Sequence, residues 1–251
     1  KGKYRDRFIG KINVYKQRFL PNGRPKQFTR KGKDRFAAQE ETVDDLAPAT
    51  VDPEQLLRLE SSHEVTKENI HLTFMNEAVR LQLLVAETAE PPTPELAARL
   101  ATVVGNAQCP GLRPDTARLS ALFGFDAFRP FQLEAIDRLA RGSCLVNSFT
   151  GSGKSLLFQF HACCVPGMTV VVAPYVALIV DQVRQASPAL PTLALNSWLS
   201  HAQRRCFYRL MEQGAARLVY VTPELFIGEF ATWAELHRPC IALVAVDECH
   251  A

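Results

Sequence analysis

The sequence predicts an α/β fold built on a parallel sheet, and three observations carry that prediction. From residue 115 onward, short apolar β-like runs alternate with helical stretches. Two of those runs, Val170-Val171-Val172-Ala173 and Leu243-Val244-Ala245-Val246, are continuously apolar, as strands covered on both faces are. The stretch Ser148-Phe149-Thr150-Gly151-Ser152-Gly153-Lys154-Ser155 stands between an apolar run, Cys144-Leu145-Val146, and an apolar helical pattern, Leu156-Leu157-Phe158-Gln159-Phe160. Strand, glycine-containing loop and helix is the setting of a phosphate-binding loop.

Taken in order, the chain opens on a basic arm, residues 1–46. Its first 35 residues hold 13 Lys/Arg against 2 Asp/Glu, a local charge of +11 on a chain whose net charge is +3, so the rest carries −8. Tyr4, Phe8, Tyr15, Phe19, Phe28 and Phe36 are interleaved with the cations. Cations neutralise phosphates and aromatic rings stack on bases, so residues 1–36 fit a single-stranded nucleic acid. They equally fit an acidic protein or RNA partner, or a solvated tail. Residues 47–94 read as a linker and a helical accessory segment, with helices over 54–60 and about 66–88. Ile70, Phe74, Ala78, Leu81 and Val85 give the second helix one apolar face. His63 and His71 have no partner at metal-ligand spacing and read as surface or packing residues. Pro91-Pro92-Thr93-Pro94 ends that segment, and a short helix over 95–104 opens the main domain, 95–251. There the pattern predicts strands at 143–147, 169–173, 192–195, 217–221 and 241–246, with helices at 153–164, 175–186 and 200–213.

The seven cysteines, Cys109, Cys144, Cys163, Cys164, Cys206, Cys240 and Cys249, contain no C-x-x-C pair. That leaves no visible zinc or thioredoxin framework, and it favours reduced, buried thiols inside a cell. No apolar run approaches the ~18 residues of a membrane-spanning helix, and no signal-peptide pattern is present, so neither a membrane span nor secretion is expected. The chain starts at Lys1 and stops at Ala251 just after a strand-like run, and reads as a piece of something longer.

The chemistry is concentrated at two places. In the loop, Gly151 and Gly153 let successive N–H groups of Thr150, Gly151, Ser152 and Gly153 point at one phosphate cluster at a helix N-terminus. Lys154 is placed to reach the β- and γ-phosphates, and the Ser155 hydroxyl to ligate Mg²⁺. Ser148 stands where the strict motif has Gly. The second place is Asp247-Glu248-Cys249-His250, directly after the last apolar run and 93 residues from Lys154. Asp247 suits a metal-holding carboxylate, Glu248 a group that orients or deprotonates water, and His250 a link to a nucleic-acid side. An acidic pair after a strand is otherwise an ordinary helix cap, but the upstream loop turns the reading toward nucleotide hydrolysis.

The D-E-x-H form of that pair, with the phosphate loop, resembles a superfamily 2 helicase, and finer features resemble the RecQ family. Leu119-x-x-x-Phe123-Gly124-x-x-x-Phe128-Arg129-Pro130-Phe131-Gln132 resembles the RecQ adenine-recognition segment. The resemblance gives Phe125 a stacking role, Arg129 a contact to the base, and Gln132 its hydrogen-bonding edge, for which an amide offers one donor and one acceptor. Ordinary helix packing is the alternative for Phe123, Phe125 and Phe128. Val172-Ala173-Pro174-Tyr175-Val176-Ala177-Leu178 with Asp181-Gln182-Val183 resembles the segment that contacts the DNA backbone. Leu195-Asn196-Ser197 and Tyr220-Val221-Thr222-Pro223-Glu224-Leu225 resemble the following strand ends. Phe149 stands where the family usually has Pro, Phe131 where Gly is common, Cys249 in place of Ala, and Ala251 where Cys is frequent. None of these removes a catalytic group.

The resemblance covers about half of the chain and implies a RecA-like lobe, with a parallel sheet and helices on both faces. It also implies ATP and Mg²⁺ as cofactors, single-stranded or forked DNA as partner, and 3′–5′ unwinding in the nucleus, an organelle not being excluded. Two rival readings stand beside it: a non-catalytic nucleotide-binding scaffold within a larger assembly, and an RNA helicase. An ATP site shared between two lobes is half made here, so the 251-residue piece alone is expected to turn over very slowly. A basic segment ahead of the helicase is also a feature of the RecQ subfamily linked to Rothmund–Thomson syndrome, and the subfamily is left unassigned.

Overall fold

The computed structural model describes residues 70–87, 92–103, 109–149, 151–237 and 241–249. In chain order its elements are a 3₁₀ turn (Ile70–Phe74), α1 (Glu77–Glu87), α2 (Pro94–Thr102), α3 (Thr116–Phe123), α4 (Pro130–Leu139), α5 (Ser155–Cys164), β1 (Met168–Val172), α6 (Val176–Gln185), β2 (Thr192–Leu195), α7 (His201–Glu212) and β3 (Leu218–Val221). A short helix α8 (Pro223–Leu225), a π turn (Phe226–Phe230), α9 (Ala231–His237) and β4 (Ile241–Val246) follow. The strands form one parallel sheet in the order β2-β3-β1-β4. Val170 sits between Val219 and Val244, and Tyr220 between Val171 and Ala194. Because every strand runs the same way, the loops after β1 to β4 share one edge. In open α/β sheets that carboxyl edge is where ligands bind.

The apolar runs become strands for the expected reason. β1, β2 and β3 are buried at every position, and α5 is buried from Leu156 to Cys164. Two strand expectations need correcting. Residues 143–149 form no strand: they keep the alternation of one, with Cys144, Val146 and Ser148 half-buried and their neighbours exposed, but no ladder is made. Apolar alternation shapes a strand only when a neighbour supplies hydrogen bonds, and among the described residues none lies beside this segment. Leu145 is accordingly 81% exposed. β4 has the predicted bounds but is not covered on both faces, since Val244 and Val246 remain 40% and 48% exposed. It is the outermost strand of the described sheet on that side.

The accessory stretch also departs from one continuous helix. Phe74, Ala78 and Leu81 of its apolar face are buried as predicted, but the helix breaks at Met75-Asn76. Met75 makes an antiparallel bridge to Leu193 of β2. Asn76 is buried and donates through Nδ2 to Leu190 O at 2.7 Å and Ser187 O at 3.3 Å, while its Oδ1 accepts from Thr192 N at 2.9 Å. The break therefore covers one edge of the sheet, the usual remedy for an unpaired strand. His71 meets Gln203 at 3.3 Å, as a packing residue would. Residues 1–69, with the arm, the helix at 54–60 and His63, lie outside the described residues.

α5 is held at its far end by buried cations. Arg217, 2% exposed, donates to Ala162 O (2.8 Å) and Val165 O (2.5 Å). Arg118 donates to Cys163 O (2.7 Å), and Gly111 N to Cys164 O (3.0 Å). These satisfy the four carbonyls that a helix leaves open and set positive charge against its negative pole. Burial and the Arg217 charge hold His161 down to about 4, so it is a neutral core residue whose Nδ1 meets Thr169 Oγ1 at 3.0 Å. Burial raises Cys163 to about 12 and Cys164 to about 11, leaving inert thiols. The six cysteines among the described residues form no disulfide; Cys163 and Cys164 are buried, Cys109, Cys144 and Cys206 half-buried, and Cys249 is exposed. No helix among the described residues is long and apolar enough to cross a membrane.

Candidate nucleotide site

The phosphate loop has the backbone its glycines were expected to provide. Gly151 and Gly153 take φ of 77° and 91°, the left-handed region where a side chain is costly. Ser152 N closes a turn on Phe149 O at 3.2 Å. A Cβ on Gly153 would stand 2.9 Å from Gln132 Nε2, so this position is closed to side chains by space as well as by conformation. Lys154 lies half-buried at the head of α5 and donates to Ser148 O at 2.9 Å and Phe149 O at 3.1 Å. Its ammonium thus folds the loop onto itself, and a phosphate would replace two carbonyls as its partner. Ser155, the first residue of α5, is half-buried. Ser152 is wholly buried, and its Oγ has no hydrogen-bond partner. A buried hydroxyl in that state costs stability unless something supplies a bond.

The adenine-segment residues reach the same loop. Asp115 caps α3 at its start, and Gly124 ends it with φ of 70°. Phe128 then packs edge-on against Phe160 of α5, with centroids 5.0 Å apart, and Phe123 lies 6.4 Å from the same ring. Both are packing residues. Phe125, by contrast, is 52% exposed. Gln132 is 3% exposed and spends both ends of its amide within the protein. Its Oε1 accepts from Arg129 N at 2.8 Å, capping α4, and its Nε2 donates to Gly153 O at 2.9 Å. Arg129 Nη1 donates to Ser152 O at 2.7 Å. The start of α4 is therefore tied by two side chains to two consecutive residues of the phosphate loop.

The acidic pair closes the site. Asp247 N donates to Val172 O at 2.9 Å, extending the β1–β4 ladder by one bond, and Asp247 Oδ1 accepts from Glu248 N at 3.1 Å. Burial pushes the Asp247 carboxyl up. The Glu248 N–H pulls it back, the Glu248 charge adds to the rise, and the Lys154 charge lowers it. The lysine of one motif is thus near enough for its charge to bear on the carboxylate of the other. Glu248 takes φ of 50°, uncommon for a residue with a side chain and a recurrent feature of functional turns. Thr150 and His250 lie outside the described residues.

This donor set suits a Mg²⁺-nucleotide: a lysine, a loop of N–H groups, a buried hydroxyl with a free valence, and one carboxylate. Among the described residues no group of three His, Cys, Asp or Glu could hold a metal ion. A cation there would lean on phosphate oxygens and water, which is how Mg²⁺ is usually held. Along the same edge, Tyr175 is 53% exposed after β1 and Trp198 57% exposed after β2, while Asn196 and Thr222 are buried.

The motif that contains Tyr220 gave its hydroxyl no role. Tyr220 on β3 is fully buried and donates to Gln182 Oε1 at 3.3 Å.

A four-stranded parallel sheet with helices, a glycine loop leading into α5 and a carboxylate pair after β4 is a RecA-like α/β fold. Comparison with known proteins narrows this. Residues 129–251 match the DEAD/DEAH box helicase family. The chain is 40% identical to an ATP-dependent DNA helicase RecQ of Synechocystis over 53% of its length and 28% of that protein. It is 35% identical to ATP-dependent DNA helicase Q-like 5 of Arabidopsis thaliana over 54% and 15%, and 32% identical to human ATP-dependent DNA helicase Q4 over 51% and 11%. Over that half the chain carries a DEAD/DEAH box helicase domain and is similar to RecQ helicases. It spans less than a third of the length of these relatives.

Proposed function

We propose that this chain supplies the nucleotide-binding lobe of an ATP-dependent DNA helicase that moves 3′–5′, with its basic arm adding affinity for DNA. The observation that carries the reading is the loop itself, in which left-handed Gly151 and Gly153 lead into Lys154 at the head of α5, with the half-buried Asp247 following β4 at the carboxyl edge, since a cation in a glycine loop and a carboxylate after a strand suit a magnesium-bound triphosphate. Bound Mg²⁺ would supply charge neutralisation between the phosphates, with Ser155 and Asp247 as its protein ligands. Lys154 exchanges its two loop carbonyls for phosphate oxygens. The N–H groups of residues 150–153 and the Ser152 hydroxyl take further oxygens. Glu248 orients the attacking water, and His250 links that carboxylate to the nucleic-acid side. Phe125 stacks on adenine, with Arg129 and Gln132 at its edge.

The chain's own geometry adds a requirement. Gln132 holds Gly153 O and Arg129 N with one N–H and one lone pair of its amide, so the second N–H and the second lone pair are what it has to offer adenine while it keeps the loop in place. DNA would lie across the loops after β1, β2 and β3, gripped through backbone and hydroxyl groups that do not read sequence. The domain division proposed is arm 1–46, accessory segment 47–94 and helicase lobe 95–251. The test is ATP hydrolysis by the longest natural chain, with DNA and RNA compared as activators. Stimulation by DNA and not RNA supports the reading. Nucleotide binding without turnover in any form would point instead to a scaffold module.

A further inference from the structure

Trp198 stands in water on a loop that is otherwise tied down. It lies just after β2, at the carboxyl edge of the sheet, and is 57% exposed, whereas the other tryptophan of the sequence, Trp233, is buried. The backbone around it is fixed. Asn196 Oδ1 accepts from Trp198 N at 2.9 Å, and Leu199 N donates to Asn196 O at 3.3 Å. Leu199 is buried, and its carbonyl accepts from Arg204 Nη1 at 2.5 Å. Ser200 and Gln203 then close a capping box at the head of α7. The ring is braced as well. Phe74, fully buried in the accessory 3₁₀ turn, meets the indole at 72° with centroids 6.3 Å apart. An edge-to-face pair uses one face of one ring, so Phe74 leaves at least one face of the indole uncovered. Keeping so large an apolar side chain in water forgoes the gain of burying it, and bracing it there is pre-organisation for a ligand.

The surroundings select that ligand. The exposed residues next to Trp198 in its loop and at the start of α7 are Ser197, Ser200 and His201. The indole is thus flanked by polar groups, unlike the apolar centre of a patch that a protein partner buries. Those groups suit an anion. The first turn of α7 holds no acid, so the positive pole of a 12-residue helix is not offset there, and Arg205 further along it is exposed. Asn196, fully buried at the root of the loop, keeps an Nδ2 donor with no acceptor. A flat π face among donors and positive potential matches a nucleobase with its phosphate.

We propose that Trp198 is a base-stacking subsite for single-stranded DNA, with Phe74 and Asn196 as the positioning residues that hold the indole ready. Stacking adds to the grip on the DNA backbone and tolerates any base, because every base has a π face. Through Phe74 the accessory segment acquires a part in DNA binding. The subsite rests on the helicase reading above, which lays DNA along this edge.

The test is the affinity of the longest natural chain for two probes, a short oligo-dT and an abasic oligonucleotide of equal length, by fluorescence anisotropy, for wild type, Trp198→Leu and Trp198→Phe. Thermal unfolding is measured alongside. Leucine keeps apolar bulk against Phe74 without a π face, and phenylalanine keeps a smaller face. Trp198→Leu should weaken oligo-dT binding about tenfold, the size of one base–aromatic stack, and leave the abasic probe unaffected, while Trp198→Phe keeps most of the oligo-dT affinity. Equal loss on both probes, or loss on neither, would overturn the subsite. A second measurement needs no substitution and so decides the matter even if Trp198→Leu unfolds. An oligonucleotide carrying 5-bromouracil is photo-crosslinked to wild type, and the adduct is mapped by mass spectrometry. Labelling of Trp198 is expected, and labelling confined to other residues would overturn the proposal. A wild type that binds neither probe would overturn the helicase reading and the subsite with it. DNA-stimulated turnover without any effect at Trp198 would remove the subsite and leave that reading standing.

Discussion

Gln132→Leu separates structure from recognition at the nucleotide site. The substitution keeps most of the buried volume and removes an amide that is 3% exposed and bonded at both ends. Gly153 O loses the donor it holds at 2.9 Å, and a buried acceptor left without one costs about 1–3 kcal/mol. Arg129 N loses its acceptor at 2.8 Å, but it sits at the exposed start of α4, where water replaces most of the bond, so the loss is near that of a helix cap, about 1 kcal/mol. The sum is about 2–4 kcal/mol, or a fall in Tm of roughly 4–16 °C for a domain of this size. Thermal unfolding read by circular dichroism measures it. Adding ATP or GTP then tests recognition: ATP should protect wild type more than GTP does, and the two should protect the variant alike. A variant that melts with wild type would refute the claim that Gln132 braces the phosphate loop. A variant that still prefers ATP would refute the claim that it reads the base.

Lys154→Ala frees only two loop carbonyls near the surface, so its unfolding midpoint should stay close to wild type, while nucleotide affinity measured by calorimetry falls about 10- to 100-fold, as loss of a charged hydrogen bond implies. Asp247→Asn should end turnover without lowering Tm at neutral pH. A carboxyl raised in the folded state takes up its proton at a higher pH there than in the unfolded chain, so its ionised form costs stability above the folded value and that cost is relieved as pH falls through it. For the same reason, Mg²⁺-nucleotide binding should weaken on mild acidification sooner than an ordinary aspartate would suggest, as a calorimetric pH series will show. Asn76→Ala removes the bonds to Leu190 O and Thr192 N and should cost about 3–5 kcal/mol in urea unfolding, because buried backbone groups at the sheet edge lose their partners.

How much of this was legible depended on whether the signal was local. The loop, the acidic pair and strands 192–195 and 241–246 could be read because continuous apolar runs and glycine placement are written in adjacent residues. The break at Met75-Asn76 could not, since it is enforced by Thr192 and Leu193, more than a hundred positions away. Residues 143–149 misled for the opposite reason. Their alternation is local and real, but a ladder needs a neighbour that the segment itself does not encode. Phe123, Phe125 and Phe128 look alike in sequence, and only packing against Phe160 separates the two core rings from the exposed one. At Arg129 and Gln132 the motif named the residues but not their present bonds, because a family pattern marks positions and says nothing about which carbonyl an amide holds when no base is there. Tyr220 was quoted within a motif, but its bond to Gln182 joins residues 38 positions apart and no adjacent residue announces it.

The measurement that bears most directly on the account is ATP hydrolysis by the longest natural chain, with and without single-stranded DNA, beside its Lys154→Ala variant. DNA-stimulated turnover that the substitution abolishes is the predicted result, and would make the glycine loop and its Lys154 the working centre of a motor. Turnover that survives the substitution, or none in either form, would contradict it.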